Sequence, residues 1–280
     1  MWQRISFKAV TIAISLFGIV HANAVVVNWD TLTWTPGTFS NSYDVDPGNS
    51  GNDITVAVTF SDNRFTTDPA TGLDSPSINN SLSGGLSPAE NNLKFVVDYS
   101  TNLETITLNI SFAAFYPQGV QNVSFSLFDI DMDFGGPINK WQDQILSISA
   151  TNGVTTFAPT ITNVGSSVTL SGTGVNQVLT ANNIVPDSGA GSSAGNATIG
   201  FGSNAITSLT FTFAAGPASN NNPDVQYFGL HDLSYVPVPE MSSVSLAAVG
   251  CIVLVLWVRL TRRRLSVPTS PRGARARAKD

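Results

Sequence analysis

Short runs in which apolar and polar residues alternate recur along the middle of the chain, between breaks rich in Gly, Asn, Ser and Pro. Alternation with a period of two is typical of a strand with one buried face, and Thr and Ser suit its outer face. The pattern predicts strands at Ile54–Phe60, Leu93–Tyr99, Thr105–Phe112, Asn122–Phe128, Gln144–Ser149, Ser167–Leu170, Ala197–Phe201, Ile206–Phe213 and Tyr227–Tyr235.

These runs predict one all-β domain over residues 25–236, an antiparallel β-sandwich of jelly-roll type. About 210 residues is an ordinary size for a single domain of this class, and a barrel is the alternative arrangement. Four stretches are predicted to be long polar loops: Pro36–Asp53, Thr66–Asn92, Ala181–Asn196 and Gly216–Val225.

Residues 1–24 have the pattern of a secretory signal peptide. Arg4 and Lys8 precede the apolar run Ala9–Val20, and Ala22-Asn23-Ala24 forms a small-x-small cleavage site. The run is too short for a membrane span, which needs about 20 residues. We expect signal peptidase to cut after Ala24; an uncleaved N-terminal anchor is the alternative.

A second apolar segment, Met241–Val258, has 18 residues without a charge, which is long enough for a transmembrane helix. Arg262, Arg263 and Arg264 follow it. The positive-inside rule keeps these arginines in the cytoplasm and places the preceding domain outside. Residues 265–280 are rich in Pro, Gly and Arg and are predicted to form a disordered basic tail.

The segment before the apolar helix reads Val236-Pro237-Val238-Pro239-Glu240, and the Arg cluster closes it. With these features residues 237–264 resemble the PEP-CTERM sorting signal of Gram-negative bacteria. The resemblance implies recognition by an exosortase, a membrane-embedded cysteine protease of transpeptidase type. It also implies a protein anchored in the membrane until it is processed, then located at the cell surface or in the extracellular matrix with exopolysaccharide and biofilm. A plain C-terminal membrane anchor is the alternative.

Charge is distributed unevenly along the chain. Residues 25–240 carry eighteen acids and only three bases, Arg64, Lys94 and Lys140, for a net charge of −15. So acidic a domain excludes a nucleic-acid-binding surface, which needs a basic face. The single Cys, Cys251, lies in the apolar segment, so the exported domain has neither a disulfide nor a thiolate zinc site.

The densest chemical signal is the run of Asp129, Asp131 and Asp133, followed by Trp141-Gln142-Asp143. Side chains two residues apart share a face of a strand and lie about 6.6 Å apart, so Asp129 and Asp131 can reach one ion. Asp133 joins them only if the chain bends. Oxygen-rich surroundings select Ca²⁺. The sequence therefore predicts a structural calcium site at Asp129, Asp131, Asp133 and Asp143; a solvated acidic loop is the alternative.

The same region resembles a recurrent segment of bacterial surface β-sandwiches. Its elements here are Asp129-Ile130-Asp131, Trp141-Gln142-Asp143 and the strand Gly229–Tyr235. This resemblance implies a type of domain and no particular activity.

We expect a non-enzymatic protein with a structural or adhesive role. After removal of the signal peptide the only His is His231, which the pattern places in a strand, so neither a Ser-His-Asp triad nor zinc catalysis has its residues.

Two other functions stay open. The first is a carbohydrate-binding module, in which exposed aromatic rings stack on extracellular polysaccharide; the candidates are Trp29, Trp34, Tyr43, Tyr116 and Trp141. The second is a polysaccharide-degrading enzyme, in which two of the carboxylates of Asp129, Asp131 and Asp143 flank a sugar.

Overall fold

The computed structural model describes residues 23–48, 50–133, 140–183 and 192–239. Its strands in chain order are β1 (Val25–Val27), β2 (Ser40–Tyr43), β3 (Ile54–Phe60), β4 (Ser77–Asn79), β5 (Asn92–Val97), β6 (Thr105–Phe112), β7 (Val120–Phe128), β8 (Met132–Asp133), β9 (Trp141–Thr151), β10 (Thr156–Phe157), β11 (Thr160–Thr162), β12 (Val168–Ser171), β13 (Val178–Ala181), β14 (Ala197–Gly200), β15 (Ser208–Ala215) and β16 (Gln226–Pro237). A single 3₁₀ turn, Gly174–Asn176, is the only helical segment among these residues. None of the described residues forms a helix long and apolar enough to cross a membrane.

The strands form two antiparallel sheets. The first has seven strands in the order β11-β14-β7-β16-β5-β4, with β1 also paired to β16. The second has nine strands in the order β12-β13-β9-β15-β6-β3-β2, with β8 and β10 also paired to β9. The all-β antiparallel prediction is thus confirmed for the described residues.

Aromatic rings from the two sheets meet in a sandwich-like core. The ring of Phe213 on β15 lies 4.4 Å from that of Phe228 on β16, and Phe125 on β7 lies 5.7 Å from Phe211 on β15. All four side chains are buried. Offset ring pairs at these distances add about 0.5–1.5 kcal/mol each beyond their buried area, so they favour close packing of the two sheets.

Side-chain alternation sets which face of each strand is buried. In β6 the buried positions are Ile106, Leu108, Ile110 and Phe112, while Thr and Asn between them are partly exposed. The runs Ile54–Phe60 and Thr105–Phe112 form strands with the predicted bounds, and the other seven predicted runs overlap strands within a few residues. The prediction of uninterrupted polar loops was wrong at two places, because β2 lies within 36–53 and β4 within 66–92.

Strand β5, next to the edge strand β4, is buried on both faces, although it contains a lysine. Lys94 Nζ lies 3.1 Å from Asp68 Oδ1 and donates to Ser81 Oγ at 2.9 Å, and it sits 4.7 Å from the centre of the Tyr227 ring. Asp68 also accepts hydrogen bonds from the Ala70 N–H and the Thr71 hydroxyl. The ion pair therefore fastens the 66–83 segment onto the outer face of the first sheet.

Asp53 fastens a second loop in a different way. Its Oδ2 accepts the N–H groups of Val45 and Asp46, both at 2.6 Å, and its Oδ1 accepts the Tyr116 hydroxyl at 2.8 Å. The side chain is fully buried. Hydrogen bonds to a charged acceptor are worth about 1.5–3 kcal/mol each, so the 44–53 loop is held to the sandwich by this carboxylate.

We expect Asp68→Asn to lower the free energy of unfolding by about 3–5 kcal/mol, because it leaves the buried Lys94 ammonium without its counter-charge. Asp62→Asn is the matched control: Asp62 pairs with Arg64 at the surface, with its side chain 55% exposed. Asp62→Asn should lower the free energy of unfolding by no more than about 1 kcal/mol. Urea unfolding measures both values, and equal losses would contradict the role given to Asp68.

Candidate metal centre

Asp129, Asp131 and Asp133 do not lie along one strand. Strand β7 ends at Phe128, and Asp129 adopts a left-handed backbone with φ of 69°. Asp is one of the residue types that tolerate this conformation, which turns the chain sharply. Asp131 precedes the short strand β8, which contains Asp133. The expectation that Asp129 and Asp131 share one strand face was therefore wrong.

The turn carries the chain to β9, where Asp143 faces the core. Asp143 lies two residues before the buried Ile145, so both side chains occupy the same face of the strand. Its side chain is 0% exposed. A carboxylate thus occupies a position that the strand pattern gives to an apolar residue.

Asp131 and Asp143 are joined directly. The Asp143 N–H donates to the Asp131 carbonyl at 2.9 Å, and the Asp131 N–H donates to Asp143 Oδ2 at 3.2 Å. The other oxygen, Asp143 Oδ1, is buried and has no hydrogen-bond partner within the described part of the chain. A buried oxygen left unpaired in this way costs about 1–3 kcal/mol, and more if it is charged.

Negative charge is in excess at this site. Burial raises the pKa of the Asp143 carboxyl well above its usual range, and the charges of Asp131 and Asp129 raise it further. The hydrogen bond from the Asp131 N–H opposes these effects without cancelling them. Asp129 and Asp131 are themselves only 2% exposed. We call Asp129, Asp131 and Asp143 the acidic cluster.

The ligand chemistry of the acidic cluster suits a hard cation. Ca²⁺ takes six to eight oxygen ligands from carboxylates, backbone carbonyls and water, at about 2.3–2.6 Å. The cluster offers carboxylate oxygens, among them Asp143 Oδ1, which faces the interior. Ca²⁺ at this place would compensate the buried charge without requiring a proton.

Asp133 and Trp141 lie at the edge of the site. They are paired across β8 and β9, and both side chains are partly exposed. Asp133 is less buried than the acidic cluster and is a peripheral candidate for a ligand. The bend predicted after it falls in residues 134–139, outside the described residues.

The other residues predicted for a function are dispersed. Four of the candidates for a sugar-binding platform offer no exposed ring, because Trp29, Trp34, Tyr43 and Tyr116 are all buried. Ala24 and Pro239 are exposed at the two ends of the described chain. The remaining predicted processing residues, Ala22, Glu240, Arg262, Arg263 and Arg264, lie outside the described residues, as do the membrane segment and the tail.

The sequence analysis missed a second cluster. Glu90, His231 and Asp232 bring one potential ligand atom each within 4.8 Å of one another. No other group of three or more among the described residues does so, and the acidic cluster does not. Glu90 and His231 are 141 positions apart. Nothing in the local sequence pattern brings them together, because their contact depends on how β16 pairs with its neighbours.

Comparison of the chain with protein-family models, with curated proteins and with solved structures found no match.

We expect Ca²⁺ to raise the melting temperature of the mature chain. Calcium at 100 times its dissociation constant adds about 2.7 kcal/mol to the free energy of unfolding. For about 210 residues this corresponds to a shift of about 5–10 °C. Calorimetry in chelator and in millimolar calcium measures it, and curves that superimpose would contradict the calcium site.

The double variant Asp129→Asn/Asp131→Asn should lose this calcium response. In chelator it should be at least as stable as the wild type, because the two amides remove the repulsion around Asp143. Asp224→Asn, at an exposed acid, is the control and should keep the full response. A double variant that still responds fully to calcium would place the ion elsewhere.

Proposed function

We propose that this chain is an exported, non-enzymatic protein of the cell surface or extracellular matrix, with a structural or adhesive role associated with exopolysaccharide. An exosortase-type system sorts it. Its exported part is a β-sandwich of jelly-roll type whose fold is stabilised by calcium. The alternation of long strands between the sheets supports the jelly-roll arrangement: β5, β7 and β16 belong to one sheet, and β6, β9 and β15 to the other.

The observation that carries the proposal is the buried Asp143 oxygen, which has no hydrogen-bond partner within the described residues. Extracellular modules bind calcium with dissociation constants of about 10⁻⁴–10⁻³ M, far weaker than cytosolic sensors. A domain that depends on such a site reaches full stability only where calcium is abundant, as it is outside the cell. A calcium site at the acidic cluster would therefore make the fold most stable outside the cell, which is the compartment that the two ends of the chain predict.

The end of the described chain supports access by a processing protease. β16 ends at Pro237, and Val238 still donates its N–H to the Gly119 carbonyl at 3.0 Å. Pro239 is exposed. The sandwich therefore holds the chain up to the residues that open the sorting motif, and the prolines keep those residues out of a helix.

Burial of the acids also favours a binding or structural role over polysaccharide hydrolysis. A glycosidase acid or nucleophile must contact the sugar at its scissile bond. Asp143 is fully buried and Asp129 and Asp131 are nearly so. In this arrangement the three carboxylates are more accessible to an ion than to a polysaccharide.

Processing of the mature protein tests the sorting proposal. Intact-mass analysis of the surface fraction should show a chain that begins at Val25 and ends close to Glu240. A mass that includes residues 259–280 in that fraction would mean that the C-terminal segment is only an anchor.

Replacement of Arg262, Arg263 and Arg264 by Gln gives a matched variant for the same experiment. It changes no residue of the sandwich, so the exported domain should melt at an unchanged temperature. We expect the variant to accumulate unprocessed in the membrane fraction. Normal processing of this variant would argue against exosortase recognition of the cluster.

A further inference from the structure

A β-bulge in β16 brings two neighbouring polar residues to the same side of the first sheet. Leu230 pairs with Leu127 of β7 and Leu233 with Phe125, so three steps of β16 lie against two steps of β7. The extra length falls at His231 and Asp232. In a regular strand these two side chains would point to opposite faces, and a bulge re-aims one of them.

Two other segments reach the bulge, because β16 changes partners there. Leu230 pairs with Leu93 of β5, whereas Leu233 pairs with Val27 of β1. The loop that enters β5 supplies Glu90, and the segment after β1 supplies Trp29. Glu90 Oε2 lies 3.1 Å from His231 Nε2.

Contacts outside the group orient its members. The imidazole of His231 stacks on the Phe128 ring, with 4.8 Å between ring centroids. Asp232 Oδ1 accepts a hydrogen bond from the backbone N–H of Trp29 at 3.0 Å. In metal sites, hydrogen bonds of this kind hold a ligating carboxylate in place, and their loss commonly costs 10- to 100-fold in affinity.

We propose that Glu90, His231 and Asp232 form a site for a divalent transition metal of the zinc class. One imidazole nitrogen and two carboxylate oxygens are ligands that Zn²⁺ accepts, whereas the nitrogen disfavours Ca²⁺. Ligands bound at about 2.0–2.2 Å lie roughly 3.5 Å apart, which agrees with the grouping of the three ligand atoms within 4.8 Å.

The local charge favours a cation at this place. Glu90 and Asp232 bring two carboxylates to the site, and Asp30 adds a third beside it, where it accepts the Asn91 N–H at 2.9 Å. A metal also has a path of entry. The Glu90 side chain is 42% exposed, and His231 lines an open cleft of about 590 Å³.

The metal would join two segments, the loop before β5 and the bulge of β16, and the hydrogen bond from the Trp29 backbone N–H to Asp232 ties the segment after β1 to them. Three protein ligands leave further coordination positions for water or for a group from solution. This proposal is independent of the function proposed above, because it uses none of the acidic cluster and none of the sorting motif.

The test uses residues 25–280 without a polyhistidine tag, purified in detergent and freed of metal with a chelator. Calorimetric titration with zinc chloride should show one tight site per chain, and Co²⁺ should give visible absorption bands in its place. His231→Gln and Glu90→Gln should each weaken zinc binding at least about tenfold. Because the Glu90 side chain is 42% exposed, its variant keeps the test valid even if His231→Gln folds poorly.

Two controls separate this site from the calcium site. The exposed Asp224→Asn and the double variant Asp129→Asn/Asp131→Asn should both bind zinc as the wild type does, and millimolar calcium should not displace it. Absence of zinc binding would reduce the group to a Glu90–His231 ion pair and overturn the proposal. Equal affinity in the wild type and in both ligand variants, or loss of zinc to calcium, would also overturn it.

Discussion

A carboxylate taken out of water must find compensation for its charge, and this requirement organises the sandwich. Asp53 obtains it from two backbone N–H groups and the Tyr116 hydroxyl, and Asp68 from the Lys94 ammonium. Asp143 is equally buried, yet one of its oxygens has no hydrogen bond within the described residues. Because residues 25–240 have only three bases for eighteen acids, a bound cation would compensate Asp143 without a further base.

The same compensation holds the polar loops to the sheets. The Asp53 contacts close the 44–53 loop, and the Asp68–Lys94 pair fastens the 66–83 segment over β5. Asp232 holds the segment after β1 through the backbone N–H of Trp29. Loops this rich in Gly, Ser and Asn bury little apolar surface, so a few buried acids supply much of what keeps them ordered.

The strands could be predicted where side-chain alternation alone decides the structure. β3 and β6 have the predicted bounds because Ile, Val, Leu and Phe alternate with Thr, Asn and Ser over seven and eight residues. β2 reads Ser-Asn-Ser-Tyr and is a strand because β3 offers it a ladder, which no local pattern reveals. The residues of the acidic cluster were identified, but the left-handed turn at Asp129 and the inward position of Asp143 depend on tertiary pairing. The bulge at His231 and the contact of His231 with Glu90 depend on tertiary pairing even more.

The most direct measurement is a crystal structure of the mature protein grown in calcium, with anomalous scattering data collected at a long wavelength. The account predicts an anomalous peak about 2.3–2.6 Å from Asp143 Oδ1, with oxygens of Asp129 or Asp131 in the same shell. No peak near Asp143, with its carboxyl oxygen hydrogen-bonded to a neighbouring protein group instead, would contradict it, because the buried charge would then be compensated without an ion.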